Sequence, residues 1–70
     1  MALTERDLAV FEAVGTLIER NGYAPSLRQI AREMKLASPS GIHTSLQRLR
    51  DAKKLTWEEG QPRTLRLVDA

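Results

Sequence analysis

Apolar positions recur along this chain in three helical registers, followed by two short alternating runs. Leu8, Phe11, Val14 and Ile18 lie three and four residues apart, with Val10 and Leu17 widening the stripe. Thr4 stands ahead of them as an N-cap, and Glu5 and Asp7 put negative charge in the first turn, where the helix dipole favours it. Asn21-Gly22 is a stop signal, because glycine tolerates the left-handed conformation that ends helices. The pattern predicts a first helix over 5–20 with a scaffold role.

Tyr23-Ala24-Pro25 reads as an extended connection, since the residue before proline avoids the helical region. Ser26-Leu27-Arg28-Gln29 is a capping box that opens a second helix over 27–35. Its buried stripe is expected to be Leu27, Ile30, Ala31 and Met34, with Arg28, Arg32 and Lys35 on the solvated side. After a turn at Leu36-Ala37, Ser38-Pro39 marks a third helix start, with proline at the first helical position. This helix is predicted over 39–53. At about 100° per residue, Leu46 and Leu49 fall within about 40° of Ile42 and complete the core stripe. Ser40, Thr44, Gln47 and Asp51 lie about 140–200° away, on the outer face, flanked by Gly41, His43 and Arg48.

Leu55-Thr56-Trp57 and Leu65-Arg66-Leu67 alternate apolar and polar around the breaker-rich Glu58-Glu59-Gly60-Gln61-Pro62. They predict a β-hairpin with strands over 55–58 and 63–68, and with Leu55, Trp57, Leu65 and Leu67 on its buried face. A lone hairpin is marginal, so it must lean on the helices. The contexts of Tyr23 and Trp57 likewise favour packing in or near the core over stacking on bases. The expected fold is mainly α with a small β-hairpin: one domain over 1–70, a three-helix winged helix-turn-helix.

Seventy residues suffice for one modest core. The absence of cysteine leaves no disulfide or thiolate metal site, and a single histidine does not make a structural zinc site, so no metal and no cofactor are expected. No apolar run approaches the ~18 residues that span a bilayer, and the start of the chain is not a signal peptide. Cytoplasmic residence, in association with the nucleoid, is the expectation. Residues 1–24 carry a net charge of −2, and residues 25–70 carry +4. A basic C-terminal two-thirds on a slightly acidic base suits a polyanion-facing surface, although solubility alone accounts for such a balance equally well.

The outer face of the third helix is the most specific chemistry in the chain. Ser40, Gly41, His43, Thr44 and Gln47 are candidate base readers. Their short side chains admit close approach to the major groove, while hydroxyl, imidazole and amide groups match donors and acceptors on base edges. A polar outer face is also what any surface helix shows, so the reading rests on the whole layout. Asp51 on the same face repels phosphate, which requires the N-terminal half of the helix to insert. Arg28, Arg32, Lys35, Arg48, Arg50, Lys53 and Lys54 are candidate phosphate contacts, with Arg28 and Arg48 preferred because they flank the turn and the reading face. Ser26 and Ser38 can each present backbone N–H groups to a phosphate, and Arg63 at the hairpin tip is a wing contact for backbone or minor groove. No nucleophile turn, Gly-rich phosphate loop or catalytic dyad is present, so no enzyme and no small-molecule substrate are expected.

Gly22-Tyr-x-Pro-Ser-x-Arg-x-Ile30, Leu36-x-Ser-Pro-Ser-x-Ile-His43 leading to Leu46 and Leu49, Leu3-Thr4 and Pro62-Arg63 together resemble the DNA-binding domain of the LexA family of bacterial SOS repressors. The likeness covers nearly all of the chain, and the Ser-x-Ser-x-Ile-His pattern is its most specific part. By that resemblance, Ser38, Ser40, Gly41, His43 and Thr44 match the operator-contacting start of the recognition helix, and Arg63 matches a wing contact. The implied partner is double-stranded DNA, with a second copy of the chain on a palindromic site and no membrane. Where family members usually carry Lys-Gly, this chain has Lys53-Lys54, which implies a third helix ending without its glycine cap and a shifted wing. Gly41 and Thr44 also depart from common family residues, which bears on the preferred operator half-site. The family's self-cleaving, dimerising C-terminal domain with its Ser–Lys dyad has no counterpart in these residues. An excised domain or a free-standing relative, such as a phage or plasmid protein, is expected. The alternative class is a winged-helix interaction module that binds a host repressor or polymerase.

Overall fold

The computed structural model describes residues 3–37, 40–58, 60 and 64–68. Within them run three helices and one hairpin: α1 (Glu5–Asn21), α2 (Leu27–Glu33), α3 (Ile42–Asp51), β1 (Leu55–Thr56) and β2 (Arg66–Leu67). The strands pair antiparallel, Leu55 opposite Leu67 and Thr56 opposite Arg66. This is the winged helix-turn-helix order that the sequence predicts.

Helix α1 begins at a reciprocal capping box: the Thr4 side chain accepts from the Asp7 N–H at 3.1 Å, and the Asp7 carboxylate accepts from the Thr4 N–H at 3.0 Å. It ends at Gly22 (φ 78°), whose N–H returns to the Ile18 carbonyl. Its buried stripe is Asp7, Val10, Ala13, Val14 and Leu17. The expected stripe is therefore rotated: Leu8 is 51% exposed, while Phe11 and Ile18 only flank the core. A polar residue, Asp7, occupies the stripe's first position, and hydrophobicity alone shifts the choice to its neighbour Leu8.

In α2 the Ser26–Gln29 box forms in both directions, at 2.8 and 3.1 Å. Ile30 and Ala31 are buried and Met34 packs against the core, but Leu27 is exposed. Tyr23 is also exposed, contrary to expectation, because Ala24 and Pro25 take the buried places in that connection. An exposed ion pair joins the end of α1 to α2, with both Arg20 terminal nitrogens 3.1 Å from Glu33; such pairs contribute about 0–1 kcal/mol.

Both helices of the helix-turn-helix close with a lysine in the left-handed region, Lys35 (φ 58°) and Lys53 (φ 61°). At each, two backbone bonds wrap the terminus: Leu36 N–H to Ala31 O and Lys35 N–H to Arg32 O in one, Lys54 N–H to Leu49 O and Lys53 N–H to Arg50 O in the other. These are Schellman closures that glycine usually makes. The chain thus keeps the closing geometry at Lys53 without a glycine, and β1 follows at Leu55.

The α-helical hydrogen bonding of α3 starts at Ile42, later than predicted, with Gly41 in its cap position and no side-chain cap bond. Ser38 and Pro39, the predicted start signal, lie outside the described residues. Ile42, Leu46 and Leu49 are buried as expected, and Ser45 joins them. Leu55 completes the core from β1, with Trp57 and Leu65 packed at its edge. Leu67 is 39% exposed, yet its Cδ1 lies 3.5 Å from where a β-carbon on Gly15 would sit, so the wing leans on α1 as well. The backbone ladder stops well short of the predicted strands. Beyond it the Thr64 hydroxyl bridges the two arms, accepting from the Glu58 N–H at 2.8 Å and donating to the Glu58 carbonyl at 3.4 Å.

Candidate nucleic-acid interface

Helix α3 shows chemically distinct sides. Its buried stripe turns Ile42, Leu46 and Leu49 into the core, which fixes the opposite side outward. There Ser40, His43, Thr44 and Gln47 are all exposed, with Asp51 exposed one turn further on. Gln47 Nε2 lies 3.4 Å from His43 Nε2. An amide nitrogen only donates, so this contact is a hydrogen bond when the imidazole nitrogen is bare. The two candidate readers thereby face each other across one turn.

A third side of α3, formed by Gly41, Ser45 and Arg48, is gripped by the first turn of α1. The Ser45 hydroxyl donates to the Asp7 carboxylate, and Arg48 Nη1 lies 3.5 Å from Asp7 Oδ1. The backbone N–H of Thr4 does most to hold the Asp7 carboxyl below its usual range. Burial opposes this, and the Ser45 hydroxyl, the Thr4 side chain and the Arg48 guanidinium reinforce it. Asp7 is fully buried and Arg48 half exposed, so the pair ties the guanidinium to α1 while the arginine side chain stays partly open to solvent beside the reading face. A β-carbon placed on Gly41 would sit 2.9 Å from Arg6 Nη1, so the Arg6 side chain lies directly against the start of α3.

Arg28, the other preferred cation, is exposed on α2, as are Arg32 and Lys35 nearby and Lys53 and Lys54 after α3. Arg50 is instead laid over Trp57, its guanidinium carbon 4.5 Å from the ring centroid, covering the edge of the wing. Ser26 has its N–H and hydroxyl oxygen engaged in the capping box. Ser38 and Arg63 lie outside the described residues. Sequence reasoning missed Arg6 and the inward role of Asp7. For Asp7 a signal exists: Thr4-x-x-Asp7 has the spacing of a capping box. For Arg6 none does, since only the docking of α1 on α3 brings it there.

Among the described residues, no three histidine, cysteine, aspartate or glutamate side chains come together to hold a metal ion, and no helix is long and apolar enough to cross a membrane.

Residues 1–64 match the family described as the LexA DNA binding domain. The chain is 38% identical over 66 residues to the transcription regulator LexA of Synechocystis sp., covering 94% of this chain and 32% of that protein. It is 34% identical over 67 residues to the LexA repressor of Pelotomaculum thermopropionicum, covering 96% of this chain and 33% of the relative. The LexA repressor of Staphylococcus carnosus is 33% identical over 66 residues, or 94% of this chain and 32% of its own length. The chain thus spans about a third of the length of these relatives.

Proposed function

The chain belongs to the LexA DNA-binding domain family, and from that premise we propose that it binds double-stranded DNA sequence-specifically and represses transcription by occluding a promoter. The observation that carries this reading is the outer side of α3, where His43, Thr44 and Gln47, with Ser40 just ahead of the helix, are solvent-exposed while Ile42, Leu46 and Leu49 anchor the opposite side in the core. The N-terminal half of α3 enters the major groove and Asp51 stays clear of the phosphates. Gln47 suits adenine, His43 suits guanine or a phosphate, and the small Ser40, Gly41 and Thr44 let the helix approach base edges. Arg28, Arg48, Ser26 and Ser38 contact phosphates, and Arg63 on the wing reaches the backbone or minor groove.

One copy presents one reading helix, so a palindromic operator takes two copies paired on DNA. The regulatory setting is the SOS response of a bacterial cell interior, and the module itself carries out no catalysis. Titration of labelled duplex at two salt concentrations tests the reading. Each phosphate neutralised adds about 0.9 to the slope of log affinity against log salt, so binding is expected to fall steeply. Affinity indifferent to salt overturns it. Absence of any probe shift at low salt, with recovery of a protein partner, assigns the domain to protein interaction instead.

A further inference from the structure

The first turn of α1 carries two charged residues against α3, and they are used differently. Asp7 is turned inward and satisfied by Thr4, Ser45 and Arg48. Arg6 is exposed, and it forms no ion pair among the described residues even with its neighbours Glu5 and Asp7. Its guanidinium lies where position 41 lacks a side chain: a β-carbon there would meet Nη1 at 2.9 Å and Cζ at 3.7 Å. The Gly41 backbone does not itself demand glycine, because φ −84° and ψ −12° are open to any residue. What glycine supplies is room.

We propose that Arg6 is a phosphate-contacting residue of the DNA interface, and that glycine at position 41 holds open the place its guanidinium occupies beside the reading helix. The inference rests on the DNA-binding reading above and adds to it a contact from α1. Gly41 and Arg48 border the same edge of α3, and seven residues of helix put them about 10 Å apart along its axis. Arg6 at one end and Arg48 at the other therefore flank the inserted half of α3 with positive charge. A carboxylate partner already engages Arg48, whereas the Arg6 guanidinium meets a phosphate with no such competitor among the described residues. Because an arginine is the flexible member of the pair, a side chain at position 41 displaces it and leaves the fold intact.

The test is a double-mutant cycle of Arg6→Gln and Gly41→Ala on the purified chain, with duplex binding measured from about 50 to 200 mM salt and the thermal midpoint as a check on folding. Arg6→Gln is expected to weaken all sequences alike and to lower the salt slope by about 0.9, so that affinity lost across that range shrinks by roughly 3.5-fold. Gly41→Ala is expected to keep the thermal midpoint and to lower the slope by the same amount. The double variant is expected to match Arg6→Gln alone. An unchanged slope in Arg6→Gln, or losses that simply add in the double variant, overturns the inference while leaving DNA binding intact. A wild-type chain that binds no duplex overturns both.

Discussion

The guanidinium of Arg48 reaches back 41 residues to the carboxylate of Asp7, 3.5 Å away, and ties the reading helix to the first turn of α1. The same carboxylate caps α1 through Thr4 and accepts from Ser45. One buried acid thus sets where α1 begins and how α3 is seated against it. It also places a predicted phosphate contact at the edge of the reading face.

This arrangement makes stability depend on acid. The Asp7 carboxyl titrates below its usual range, chiefly because the Thr4 N–H bonds its charged form. A depressed folded-state pKa contributes stability that is fully present above the ordinary carboxylate range and is lost as pH falls through the folded value. The thermal midpoint of the wild type is therefore expected to drop on acidification. Asp7→Asn should have a lower midpoint at neutral pH and a flatter profile on the acid side. An Asp7→Asn profile parallel to the wild type contradicts the assignment.

Base readers and phosphate contacts should separate by their specificity. His43→Ala or Thr44→Ala is expected to relax choice at particular base pairs, by ~1–3 kcal/mol each. Arg48→Ala is expected to weaken all duplexes alike and to reduce the salt slope by about 1. Selection from a random duplex pool, followed by titrations on the selected and scrambled sites, reads out both effects. A base-specific loss in Arg48→Ala would reverse its sorting.

Lys53 adopts a left-handed conformation that costs an L-residue roughly 1–2 kcal/mol. Glycine relieves that cost and returns part of it through a freer unfolded chain, about 0.4–1 kcal/mol. Lys53→Gly is expected to stabilise the domain by about 0.5–1 kcal/mol, raising the midpoint by several degrees in a chain of this size. Thermal or urea unfolding monitored by circular dichroism measures it, and a lowered midpoint counts against the strain argument.

Leu55 is the one strand residue sunk fully into the helical core among the described residues. Leu55→Ala removes that anchor and leaves a cavity, at a cost of about 2–5 kcal/mol. Total stability for 70 residues runs to roughly 3–10 kcal/mol, so the variant is expected to be partly unfolded or to shed its wing at 37 °C. Trp57 fluorescence, quenched or released as Arg50 leaves its ring, reports the loss. A variant as stable as the wild type shows that the wing is held elsewhere.

The sequence by itself determined the order of elements, the capping of α2, the core stripe of α3 and therefore which side of α3 is turned outward. Those features follow from local rules: Ser26 and Gln29 reach each other within one turn, and Ile42, Leu46 and Leu49 repeat with the helical period. Only the tertiary structure decided the rest. Whether Leu8 or Asp7 faces the core depends on how α1 is rotated against α3, and a buried acid defeats a reading by hydrophobicity. Lysine's left-handed turn at 35 and 53 is imposed by closures that the whole packing supports, against the residue's own preference. The meetings of Arg6 with Gly41 and of Asp7 with Arg48 join residues far apart in the chain. No periodicity encodes them, because they come into being only when two helices dock.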